Sequence, residues 1–173
     1  MSTVLGIHTN LTGGSSAGDA KMTGGHAWIT VHRGGNVEYY GLWPDQHPHV
    51  IDNGPGSDVR RGMEKRDRAA DSRYYLLSSE QEKVLARHLM ISVKWRYTHN
   101  CSSWATEIVR KVTTENITAN EPIIAFVETP RQLGMSIRRL EARLPSSINS
   151  PIPIKPPAKG PKRSSSMRLA ENK

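Results

Sequence analysis

Thr98-His99-Asn100-Cys101-Ser102-Ser103-Trp104-Ala105 contains the only cysteine in the 173-residue chain and sits where a loop pattern gives way to a helix pattern. After Cys101, apolar residues fall at Ala105, Ile108, Val109 and Val112, one stripe of a 3.6-residue period headed by the cysteine. The other side of that helix carries Thr106, Glu107, Arg110 and Lys111. Residues 97–100 show no helical pattern, and Asn100 is a good N-cap type. A thiol at this position meets the positive end of the helix dipole and free backbone N–H groups. Both favour thiolate over thiol, and the same N–H groups can hold an oxyanion. The competing reading is a small buried hydrophobe on an apolar stripe. A suitably placed histidine favours the first.

That histidine is His26, at the mouth of the most strand-like segment. His26-Ala27-Trp28-Ile29-Thr30-Val31-His32 alternates, with Ala27, Ile29 and Val31 on one face and His26, Trp28, Thr30 and His32 on the other. Arg33-Gly34-Gly35-Asn36 is a turn signal, and residues 37–43 form a return strand. With Gly34-Gly35 as a two-residue loop, position 33 pairs with 36 and His26 lies opposite Trp43. Asp45 then falls diagonally beside His26, where a carboxylate orients an imidazole. A slip of one residue would move the whole return strand to its other face. The stretch from Pro44 to Asp71 reads as a long loop, and such a run in a compact domain tends to line a binding site. Asp52 and Asp58 are therefore alternatives to Asp45 as the orienting acid, while Glu64-Lys65-Arg66-Asp67-Arg68 reads as a solvated charged face. His47 and His49 around Pro48 offer a metal-ligand alternative, but no paired-cysteine or His-Glu-x-x-His spacing supports it. No metal or cofactor is expected.

Elsewhere, Val4 to His8 suggests a short opening strand within a flexible part spanning residues 1–23, whose Gly-Gly-Ser-Ser lacks the P-loop pattern. Arg73 to Leu77 reads as a strand. Ser79 to Glu82 reads as a capping box opening a helix with Val84, Leu85, Leu89 and Val93 inward. Thr129 as N-cap, Pro130 at N1 and Gln132 at N3 open a last helix, with Leu133, Ile137, Leu140 and Leu144 as its buried stripe. The domain is expected to end at 144. Residues 145–173 contain six prolines and few large apolar residues, and are expected to form a disordered basic tail.

Composition narrows the function. The net charge is +8, but the tail's six Lys/Arg against one Glu account for +5 of it. That tail has no aromatic residue, so the interleaved basic and aromatic pattern of a single-strand nucleic-acid binder is missing. A specific nucleic-acid partner is not expected. One cysteine cannot build a disulfide framework. No apolar run approaches the length of a membrane span, and the first residues lack a signal-peptide pattern. The expectation is synthesis in the cytoplasm without membrane insertion.

The order of parts (histidine at a strand start, hairpin, helix, then cysteine heading a helix) resembles the circularly permuted papain-like families; their NlpC/P60 relatives place the cysteine first. Gly25-His26-Ala27-Trp28 and Asn100-Cys101-Ser102-Ser103-Trp104 carry the resemblance. The stretch from Gly24 to about Leu144, including residues 39–45 and Glu128-Thr129-Pro130-Arg131, also resembles amidase toxins associated with bacterial type VI secretion. The resemblance implies an α+β fold with a small antiparallel sheet packed against the cysteine helix, Cys101 as nucleophile and His26 as base. It supplies no third residue. It further implies a cysteine amidase acting on peptidoglycan peptides, delivered by secretion machinery into the periplasm of target bacteria and neutralised by an immunity protein. The same His–Cys layout serves protein glutamine deamidases, transglutaminases and lipid acyltransferases, which are the alternatives. Against the lipid reading, no amphipathic membrane helix is evident.

Overall fold

Gly34 and Gly35 adopt φ of 54° and 87°, the left-handed conformation that a two-residue hairpin loop requires. β2 (Ala27–Arg33) and β3 (Asn36–Leu42) pair antiparallel around them, Arg33 opposite Asn36 and Trp28 opposite Gly41. This is the register read from the sequence. The structure, a computed structural model, describes residues 2–11, 25–44, 56–122 and 127–154.

β1 (Thr3–Thr9) lies between β2 and β5 (Asp71–Leu77), antiparallel to both. β4 (Val59–Arg61) extends the sheet beyond β3, and β6 (Ile152–Pro153) adds to β5 in parallel. The result is one mixed sheet of six strands, order β4-β3-β2-β1-β5-β6, larger than the small antiparallel sheet expected. The fold class is α+β. A flexible part over residues 1–23 is corrected at β1, all seven of whose residues are buried. Neighbours on both sides satisfy its backbone, which a short apolar run interrupted by Gly6 does not announce.

Three helices follow among the described residues: α1 (Ser79–Leu89), α2 (Cys101–Thr113) and α3 (Pro130–Arg143). The capping box of α1 opens one residue earlier than expected, with Ser78 as N-cap and Gln81 at N3. α2 lies over β2 and β3, and α3 over β1 and β5. Their stripes meet one sheet face in a single core: Leu5, Ile7, Ala27, Ile29 and Val31 against Ala105, Ile108, Val109, Val112, Leu133 and Ile137. Each large apolar side chain buried there contributes ~1.5–3 kcal/mol, more than any local propensity, so the stripes fix how the helices lie. The opposite sheet face is more polar. His8 hydrogen-bonds Ser72 Oγ at 2.8 Å and Thr30 Oγ1 at 2.7 Å; burial, helped by His32, lowers its pKa to about 3.

The domain does not end at Leu144. Ser146 donates from N and Oγ to Glu141 and accepts the Tyr74 N–H, and β6 then pairs with β5. The boundary moves to at least Ile154, held by the Ser146 hydrogen bonds, the pairing with β5 and the packing of Ile152 and Ile154 against the core. Residues 155–173 lie outside the described residues.

Candidate active site

Local sequence fixes the cysteine. Arg96 and His99 exchange two backbone hydrogen bonds of 3.0 Å in a tight turn, and Asn100 immediately stops it by capping α2. The Asn100 Oδ1 accepts the N–H groups of Ser102 and Ser103, while Ser103 Oγ accepts the Asn100 N–H. The Trp104 N–H goes to the Asn100 carbonyl. Cys101 is the first residue of α2, where the helix itself offers its N–H no acceptor, so a donor beside the thiol can face an incoming oxygen. Asn100 Nδ2 also donates to the carbonyls of Tyr97 and Glu128, tying the start of α2 to both walls of the cleft.

His26 is fixed from the other side. Its N–H donates to Asn10 Oδ1 at 2.7 Å, and its carbonyl accepts the Asn10 N–H at 3.2 Å. The imidazole and the Cys101 thiol line the same cavity and lie near enough to shift each other's pKa, so the structure brings together the two residues singled out in the sequence. The Trp43 ring lies over it at 3.9 Å between centroids, and Trp28 stacks at 6.0 Å.

Among the described residues, the carboxylate that meets His26 is Glu64, which the sequence reading did not name. His26 Nε2 lies 3.0 Å from Glu64 Oε1, leaving Nδ1 for the thiol. Glu64 sits in a 3-10 turn (Met63–Arg66) opened by Gly62 at φ 82°, and the Gly62 N–H is held by the Tyr39 carbonyl. Its side chain is fully buried, which corrects the solvated-face reading at Glu64 alone; Lys65, Arg66, Asp67 and Arg68 are exposed. Oε1 also accepts the Trp43 indole N–H at 2.7 Å; Oε2 has no partner among the described residues. Asp58, one of the acids considered, is buried but faces elsewhere. It accepts the Trp95 N–H at 2.7 Å and lies 3.3 Å from Lys94 Nζ, pinning the loop that leads to α2. Asp45, Asp52, His47 and His49 lie outside the described residues. Among those described, no group of three or more His, Cys, Asp or Glu could hold a metal ion.

One sequence signal pointed to Glu64. Gly41 interrupts the large residues of β3, and a strand glycine often marks a close approach. A Cβ there would collide with Glu64 Oε1 and come within 2.7 Å of His26 Nε2 and 2.9 Å of Trp43 Nε1. Only glycine lets the carboxylate reach across the strand.

The electrostatics follow from this packing. Burial works to lower the pKa of His26, but hydrogen bonds and charge from Cys101 and Glu64 outweigh it and raise it to about 9. Burial pushes the Cys101 thiol up; the His26 hydrogen bond and charge, the Ala27 backbone and Ser102 bring it below its ordinary value. The two shifts are coupled, and both favour a proton on the imidazole with a thiolate beside it. The pair opens onto a cavity of about 450 Å³ walled by Leu42, Trp43, Pro44, Trp95, Tyr97 and Pro130, with no Lys or Arg among the described residues of its lining. The site can therefore present a thiolate, a proton donor and one free amide to a neutral substrate group. Comparison of the chain with known protein families, curated proteins and solved structures finds no match.

Proposed function

We propose that this protein is a cysteine hydrolase of amide bonds with a permuted papain-like arrangement, and that peptidoglycan peptides are its substrates. The observation that carries this reading is Cys101 at the start of α2, sharing one cavity with an imidazole whose Nε2 rests on the buried Glu64. In the reaction His26 takes the Cys101 proton and the thiolate forms a C–S bond to the amide carbonyl. The developing oxyanion meets the Cys101 N–H. Collapse breaks the C–N bond, and His26 gives its proton to the leaving amine. Water, deprotonated by His26, then attacks the thioester; the acid leaves and the thiol is restored. Glu64 stabilises the imidazolium throughout and holds the ring in position.

The resemblance of residues 25–28 and 100–104 to secreted amidases supports an antibacterial role in the periplasm of target cells, with an immunity protein and secretion machinery as partners. Mass analysis of muropeptides after incubation with the protein tests the substrate. New amide-cleaved fragments are expected from wild type and none from Cys101→Ala or His26→Ala, each of which stays folded. The losses are not additive, because the pair acts as a unit. Intact muropeptides together with ammonia release from glutamine peptides would replace hydrolysis of the wall by protein deamidation.

A further inference from the structure

Glu128 lines two cavities: the one that holds Cys101 and His26, and a second of about 440 Å³. The second is walled by His99 before α2, by Thr106, Glu107 and Arg110 along it, and by Asn116 after it. The two adjoin where Asn100 Nδ2 holds the Glu128 carbonyl at 2.8 Å. Asn100 lines the first cavity, and Ser103, its partner in the helix cap, lines the second. The charges of the second cavity do not pair off. Glu128 is half-buried, and its Oε2 accepts the Thr106 hydroxyl at 3.0 Å, but it forms no ion pair among the described residues. Arg110, three residues along α2 from Glu107, forms an ion pair with neither carboxylate among those residues. His99 Nε2 lies 3.3 Å from Glu107 Oε2, yet it is buried without a hydrogen-bond partner. A carboxylate withdrawn from water is normally paired. Consistent with that lack, burial raises the Glu128 pKa against the pull of Thr106, His99 and Arg110. A purely anionic ligand would meet two like charges here, and a purely cationic one would meet Arg110. A ligand carrying both an ammonium and a carboxylate satisfies all three.

We propose that this second cavity is a substrate subsite for a zwitterionic amino-acid group, its ammonium held by Glu107 and Glu128 and its carboxylate by Arg110. This rests on the amidase reading above and narrows it. Within an ordinary peptide no residue carries both charges on one carbon, because a peptide bond takes up the α-amine or the α-carboxyl. The substrate class is therefore a peptide that contains an amino acid joined through its side chain, with both α-groups free. The guanidinium of Arg110 binds such a carboxylate through two parallel N–H donors.

The test is hydrolysis of muropeptides in three forms: untreated, amine-acetylated with acetic anhydride, and carboxyl-amidated with carbodiimide and ammonia. Wild type, Arg110→Met, Glu107→Gln and Glu128→Gln are compared for kcat and KM, beside iodoacetamide alkylation and melting temperature. Wild type is expected to lose about 10-fold in kcat/KM on either blocked form, the scale of one charge-assisted hydrogen bond. Arg110→Met should show a KM ~10-fold higher on the untreated form, since binding is lost, and no further loss on the amidated form. Each Glu variant should likewise lose discrimination against the acetylated form. Alkylation of Cys101 should keep its wild-type rate in all three, because the thiol's own partners are unchanged. Arg110 is exposed, so Arg110→Met decides the matter if Glu128→Gln fails to fold. Equal cleavage of all three forms by wild type overturns the subsite and leaves the amidase reading standing. Losses on the blocked forms that are as large in the variants as in wild type also overturn it, because the blocked group then sits elsewhere. No cleavage of any form removes the amidase reading, and this subsite with it.

Discussion

Replacing Glu64 by glutamine isolates its charge. Gln keeps an acceptor for the His26 and Trp43 N–H groups, and its amide nitrogen takes the place of the unpartnered Oε2. A hydrogen bond to a charged group contributes ~1.5–3 kcal/mol and one pKa unit corresponds to ~1.36 kcal/mol, so the imidazolium should lose roughly one to two units. The alkaline limb of the pH–rate profile, set by the His26 pKa of about 9, should then fall to ~7–8. At pH 8.5 turnover should slow by roughly 10-fold, with a smaller loss at pH 6.5, whereas thiol alkylation should slow most at pH values below the thiol midpoint. The new buried amide without a partner costs ~1–3 kcal/mol, and for a chain of this size each kcal/mol lowers the melting temperature by ~2–4 °C. The pH–rate profile of turnover across pH ~5–10 measures the first effect, stopped-flow alkylation follows the thiolate, and thermal melting by circular dichroism measures the stability loss. An alkaline limb still near 9 in a folded Glu64→Gln protein would mean that the carboxylate does not hold the proton on His26. The site would then be a plain Cys–His dyad.

Gly41→Ala should cost more activity than stability, because its methyl displaces the Glu64 carboxylate from His26; turnover like wild type would show that Glu64 has another route to the ring. A chain ending at Leu144 loses the Ser146 bonds and β6, about 2–3 kcal/mol by hydrogen-bond values, and should melt ~5–10 °C lower; an equal melting temperature would show that the segment contributes nothing. His8 sets an acid limit. Its folded pKa of about 3 lies below the reference of 6.5, so the stability from burying it neutral is fully present above pH 6.5 and is lost as pH falls toward 3. At pH 5 that loss is ~2 kcal/mol, and His8→Gln should flatten the melting-temperature decline between pH 7 and 5. His26 has the opposite sign, its raised pKa giving stability below pH 6.5 that disappears as pH rises through 9.

The sequence by itself determined the parts governed by short-range rules. The Asn100 cap and the stripe behind it placed Cys101 at a helix start, and the Gly34-Gly35 turn fixed the β2–β3 register, because caps and tight turns involve only a few neighbouring residues. His26 and Cys101 were each legible as a chemical position, but they lie 75 residues apart in sequence, and only the packing of α2 across β2 brings them together. The orienting acid was decided by tertiary structure alone. Nothing local distinguishes Glu64 from the charges beside it; it is buried because β4 returns along β3 and the absent side chain of Gly41 leaves a passage to the imidazole. The same reason hid the central place of β1 and the docking of residues 145–154. A strand's position and a polar segment's attachment depend on backbone hydrogen bonds to distant partners, and side-chain patterning does not encode those.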